Sequence, residues 1–124
     1  MRNLSQSIVQ ECKRRLLDSK REIMNRVRSS RAEFATLDKA GGDEADQTMS
    51  LLTENDFLTS QQRLQERLIE IDLALARIES GRFGVCEETE EPIEPQRLMV
   101  LPWTRLSIEG AELREAFRKK FARS

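Results

Sequence analysis

Two groups of residues in this 124-residue sequence are of types that do chemistry. The first is a pair of carboxylates, Asp43 and Asp46, in the run Asp43-Glu44-Ala45-Asp46-Gln47-Thr48. They lie in a stretch, residues 41–60, with five acids and no base. Three positions apart, they share nearly one face if a helix begins there. Carboxylates so placed can perturb cations or pair with Arg and Lys. They can equally cap the start of a helix, and the two roles are compatible. The second is cysteine. Cys86 is a candidate thiolate, or a small buried hydrophobe, and the hydrophobe is the preferred reading. Cys12 reads the same way. The two lie 74 positions apart, which suits a reducing compartment and gives no disulfide framework. There is no His at all, so the commonest general base and metal ligand are missing. With no nucleophile–base pair and no phosphate loop, an enzyme is the least favoured reading.

The elements that must position these residues are legible. Phe57, Gln61, Leu64, Leu68, Ile71, Leu75 and Ile78 step alternately by four and three, a heptad seam with one polar member. It extends back less cleanly through Leu52 and Met49. It stops at Ser80-Gly81, where glycine suits the left-handed position after a helix. Upstream, Leu4, Ile8, Cys12, Leu16, Ile23, Val27, Phe34 and Leu37 form a looser helical stripe. Between the stripes stands Gly41-Gly42, the sole glycine pair. The spacing predicts a mainly α chain built on a long antiparallel coiled-coil hairpin over residues 1–80, with its tip near 40–48. Arms of roughly 35 residues would make a projecting rod about 50 Å long.

Residues 81–107 hold all three Pro and the only Trp, enough for short strands and turns in a small knob. From Ile108, the apolar positions Ile108, Ala111, Leu113, Ala116, Phe117 and Phe121 alternate with Arg114, Arg118, Lys119, Lys120 and Arg123. That pattern predicts a short amphipathic helix with basic residues toward its end. The second segment is thus 81–124, a knob plus a C-terminal helix.

Charge is segregated although the net is −1. Residues 1–40 sum to +5, 41–60 to −5, 81–96 to −4 and 97–124 to +4. Any one block reads first as solvated surface. No apolar run approaches the roughly 20 residues of a membrane span, and the N-terminus lacks a signal-peptide core, so a cytoplasmic protein without membrane contact is expected.

The stretch Gly81-Arg82-Phe83-Gly84-Val85-Cys86, then Ile93, Arg97-Leu98 and Pro102-Trp103-Thr104, resembles the zinc-finger signature of the DksA/TraR family. The hairpin resembles the full-length, DksA-like members. Their tip carries D-x-x-D-x-A, and Asp43, Asp46 and Thr48 stand in its place, with an ungapped interval from Asp46 to Cys86. The resemblance implies a regulator that binds bacterial RNA polymerase through its secondary channel and applies the tip acids to promoter complexes, without reading DNA sequence. Arg63 matches a basic position that the family uses against the channel rim; otherwise it is a solvated helix-face Arg.

The departures carry their own expectations. Of the four Cys that hold the family's zinc, this chain keeps Cys86, while Thr89, Ser107 and Gly110 take the other positions. One thiolate cannot close a tetrahedral site, so a metal-free, degenerate finger resting on Phe83, Val85, Ile93, Leu98, Leu101, Trp103 and Leu106 is expected, with no cofactor. Thr48 replaces the family's Ala and adds a hydroxyl. The basic positions of the family's guanosine tetraphosphate site align with Glu70, Leu101 and Ala111, which argues against an alarmone response of that type. The alternative to a polymerase regulator is a coiled-coil interaction or structural protein that kept the fold and lost regulation. Direct nucleic-acid binding through the basic C-terminal helix ranks lower, since the chain is not basic overall and shows no recognition motif.

Overall fold

The computed structural model describes residues 4–40 and 47–122. Four helices carry the chain: α1 (Gln6–Ala40), α2 (Gln47–Ser80), α3 (Pro95–Val100) and α4 (Ile108–Ala122). α1 and α2 form the coiled-coil hairpin expected from the two stripes, and neither contains Pro or Gly. The contacts divide the chain into two compact units, one of residues 18–69 and one that joins residues 1–17 to 70–124.

In the first unit, Ile23 and Val27 of α1 are buried. Phe34 stacks on Phe57 of α2, ring centroids 4.3 Å apart and planes 13° from parallel. Leu64 and Leu68 continue the α2 side, half-buried. Gln61, the polar member of the heptad, is 9% exposed, and among the described residues neither its amide nitrogen nor its oxygen has a partner. Toward the start of α2 the half-buried position is Thr53. Leu52 is exposed, so the seam does not run through it as the looser spacing suggested. Strict alternation from Phe57 leads back by three to Glu54, which is exposed; the half-buried Thr53 lies four back, so the seam slips by one residue here.

In the second unit, Cys12, Cys86, Ile93 and Leu98 make a buried cluster against which Leu4, Ile8, Phe83, Met99 and Leu106 pack. Leu16, Ile71 and Ala74 are also buried. α2 ends as its sequence dictates. Gly81 has φ +75°, the Arg82 N–H donates to the Arg77 carbonyl at 2.9 Å and the Gly81 N–H to the Ile78 carbonyl at 3.2 Å. This is a Schellman stop with glycine in the left-handed position. Gly84 has φ +89°, and a Cβ there would lie 2.6 Å from Leu4 Cδ1, so the absent side chain lets the N-terminal segment approach.

The expected short strands reduce to one isolated bridge between Val85 and Pro92. Pro92 has no N–H with which to extend a ladder, and Pro95 starts α3 at once. Of the residues expected to carry the knob, Ile93 and Leu98 are fully buried, while Val85, Leu101 and Trp103 stay half-exposed. The C-terminal helix also differs from its pattern. Gly110 is buried and Ala111 half-buried, but Ile108, Leu113, Phe117 and Phe121 are exposed, the last two at 64% and 59%. α4 therefore seats its first turn on the knob and leaves its apolar side uncovered within this chain. Phe117 and Phe121 pack on each other, centroids 4.5 Å apart.

Candidate functional site

Asp43 and Asp46 lie outside the described residues, as does the side chain of Thr48, whose backbone belongs to the first turn of α2. Arg63 is exposed on α2. The chemistry visible in the structure lies around Cys86.

Positions 86, 89, 107 and 110 converge although 24 residues separate the first from the last. Hydrogen bonding from Ser107 and Thr89 favours the Cys86 thiolate. A Cβ added at Gly110 would lie 2.4 Å from Cys86 Sγ and 3.3 Å from Ser107 Oγ. Among the described residues no group of three His, Cys, Asp or Glu is arranged to hold a metal ion. Hydroxyls are poor zinc donors and position 110 has no side chain, so the residues present do not fit a structural zinc.

Each replacement has acquired a local duty. Ser107 Oγ accepts the Gly110 N–H at 3.0 Å, and the Ala111 N–H reaches the Ser107 carbonyl at 2.8 Å, which makes Ser107 the N-cap of α4. The Glu94 carboxylate accepts the next free donor, Ile108 N–H, at 3.1 Å. Thr89 Oγ1 accepts the Glu91 N–H at 3.2 Å where the chain turns through Glu90, φ +61°. Both hydroxyls thus accept from backbone N–H groups. Burial acts to raise the Cys86 thiol, but hydrogen bonding from Ser107 and Thr89 outweighs it and brings the pKa down to about 6. Cys86 is buried in the apolar cluster as the hydrophobe reading expects, and its thiol is at the same time lowered. At Cys12 burial instead raises the thiol, and Sγ points to the Leu98 carbonyl at 3.6 Å.

Beside this cluster lies a set of arginines that periodicity did not single out. Arg105 binds Glu70 of α2 through Nε and Nη2, both at 2.9 Å, and has Glu87 at 3.7 Å. Arg77 donates to the carbonyls of Trp103 and Thr104 at 3.3 and 3.5 Å. Burial, and then the charge of Arg105, lower its pKa. Arg97 Nε reaches the Leu106 carbonyl at 2.8 Å, and Arg15 Nη1 the Met99 carbonyl at 2.6 Å. Carbonyls at the ends of short elements need such donors, which accounts for arginine here. Of the three positions aligned with an alarmone contact, Glu70 is engaged by Arg105, and Leu101 and Ala111 are half-buried.

Comparison with known proteins agrees with the finger-like signature. Residues 81–116 match the family model described as the prokaryotic dksA/traR C4-type zinc finger. The chain is 37% identical over 106 residues to the RNA polymerase-binding transcription factor DksA of Caulobacter vibrioides, covering 83% of this chain and 72% of that one. It is 30% identical over 112 residues to an uncharacterized protein of Aquifex aeolicus, covering 88% and 77%. Among solved structures, transcription factor DksA2 from Pseudomonas aeruginosa superposes with a TM-score of 0.83 at 30% identity, covering 93% of this chain and 88% of that one.

Proposed function

Because this chain belongs to the DksA/TraR family, we propose that it is a transcription factor that binds RNA polymerase, enters by the secondary channel and presents Asp43 and Asp46 near the catalytic centre. It is a regulator and not an enzyme, and it works in the cytoplasm where its partner is found. One observation supports this reading above the others. The likeness to a polymerase-binding factor covers 83% of the chain and so takes in the hairpin as well as the finger-like segment. A match confined to residues 81–116 would speak for the knob alone.

The division of labour follows from the chemistry. Helix surfaces supply contact area, with Arg63 placed on α2 to meet carboxylates at the channel rim. The tip supplies local negative charge, which acts on cations and basic side chains inside a confined, low-dielectric passage. Thr48 adds a hydroxyl two positions after Asp46 in the sequence. A guanosine tetraphosphate response built on positions 70, 101 and 111 is not part of this reading, since Glu70, Leu101 and Ala111 bring no cation.

The test is binding to core RNA polymerase, in competition with a second protein that uses the secondary channel. Mutually exclusive binding supports the proposal. Absence of binding favours the alternative, an interaction protein that kept the fold and lost the polymerase.

A further inference from the structure

Outside the seam that joins them, α1 and α2 each carry a second, exposed stripe. On α1 it holds Arg21, Met24, Arg28 and Arg31, at steps of three and four. On α2 it holds Leu51, Leu58 and Ile69, with amide residues between them at the same steps. Leu51, Leu58 and Ile69 are each more than half exposed, and Met24 nearly half. At about 100° per residue, each stripe stands roughly 100–125° round its helix from the buried seam, in the same sense. Phe34 and Phe57 stack across the antiparallel pair, and equal turns on antiparallel helices bring both stripes to one face of the hairpin. Charge divides that face. On α1, Asp18, Glu22 and Glu33 fall on the far side, so the charges of the stripe are its three arginines. Among the described residues none of the three forms a salt bridge. On α2 the stripe is uncharged and edged by Glu54 and Glu66, while Arg63 and Arg67 fall on the far side.

We propose that this face docks a second copy of the chain, two hairpins meeting face to face as a four-helix bundle. A two-fold axis along the rod lays α1 of each protomer on α2 of its partner, so a basic stripe meets an acid-edged one at both contacts. An axis across the rod would set like stripes together, three arginines opposing three. The Phe34–Phe57 stack sets the level of each residue. Arg28 lies six residues from Phe34 and Glu66 nine from Phe57, toward the same end of the rod, a difference of about 4.5 Å along the axis. Arg28 of one protomer thus reaches Glu66 of the other at the outer edge of the contact, while Met24 meets Ile69 in its apolar middle. Residues 51–69 span about 27 Å and two helices about 20 Å, so each partner covers on the order of 500 Å². Doubled, that reaches the roughly 1,000 Å² that a specific interface needs, which fits a reversible dimer. The pairing belongs to the shaft and does not depend on what the tip does.

The experiment is equilibrium sedimentation of the full chain from micromolar to submillimolar concentration, where the mass should move from one chain to two. Ile69→Asp should weaken the dimer roughly tenfold or more, and its helicity should match the parent's because Ile69 is exposed. Arg28→Glu and Glu66→Arg should each weaken the dimer, and the two changes together should restore it, which a merely structural role for either residue would not do. A monomer at every concentration overturns the proposal. So does a dimer that ignores both Ile69→Asp and the charge exchange. A dimer lost on Phe117→Asp but not on Ile69→Asp overturns it as well, because the uncovered side of α4 is then the interface.

Discussion

Arg105 holds Glu70 by two parallel N–H···O bonds, each 2.9 Å long, and so ties the loop ahead of α4 to the shaft helix α2. Both side chains are about one-third exposed, at 33% and 35%. Exposed pairs contribute little, but bidentate geometry places this one at the upper end, near 1 kcal/mol. A double-mutant cycle with Glu70→Gln and Arg105→Ala should give a coupling of roughly that size in urea unfolding. A coupling indistinguishable from zero means that the pair serves geometry and not stability.

The folded protein should carry no stoichiometric zinc. Elemental analysis of material purified without chelator is the check, and about one zinc per chain contradicts the reading of positions 89, 107 and 110. Chelator should leave the thermal transition in place, in contrast to domains that fold on their metal.

Cys86 predicts an unusual pH dependence. Its folded pKa is about 6 against an ordinary 9.0, so between those values the unfolded chain binds more protons than the folded one. The thiolate's contribution is complete above pH 9 and fades as pH falls through 6. Stability should therefore rise across that window, with a slope of up to about 1.4 kcal/mol per pH unit from this one group. Urea midpoints at four pH values would show it, and Cys86→Ala should flatten the curve. A parent curve already flat would remove the thiolate from the account.

Gln61 sits in the seam with two buried polar atoms unpaired. Leaving such groups without partners costs about 1–3 kcal/mol. Gln61→Leu should raise the unfolding free energy by an amount in that range, read from denaturant midpoints. A destabilised variant would mean that water or a tight local fit already satisfies the amide.

The tip makes the functional prediction. Asp43→Asn combined with Asp46→Asn should leave helicity and polymerase affinity nearly unchanged while abolishing the effect on transcription in vitro. Regulation equal to the parent's would show that the carboxylates do not act. Loss of binding would recast them as anchors.

How far the sequence reads this molecule depends on the range of each signal. The heptad from Phe57 to Ile78 is a local, repeated pattern, and burial follows it residue by residue. The Gly81 stop is equally local, because one backbone conformation demands one residue type. Thr53 escaped because the seam slips by one residue there, out of the strict alternation, and a polar side chain fills the position. α4 shows the opposite failure: its apolar residues are real, but periodicity cannot say whether the rest of the chain has a surface to cover them. At Cys86, the residues at 89, 107 and 110 point away from zinc, which the elemental analysis tests. The influence of Ser107 on Cys86 joins residues far apart in sequence, and no spacing rule announces it. Arg77 and Arg105 were invisible for the same reason, as their partners are carbonyls and a carboxylate brought near by folding.

Gly110, pressed under the Cys86 sulfur, also sets the cost of building a metal site here. A side chain there would meet that sulfur at 2.4 Å unless the finger loosens. A cysteine at position 107 alone would give up the α4 cap, and one at 89 alone would give up the hydroxyl that serves Glu91 and Cys86. Two thiolates still fall short of a zinc site, so each single substitution carries a cost with no compensating gain until the others are present. Building a metal site here would pass through less stable single variants, a ratchet whose pawl is one missing Cβ.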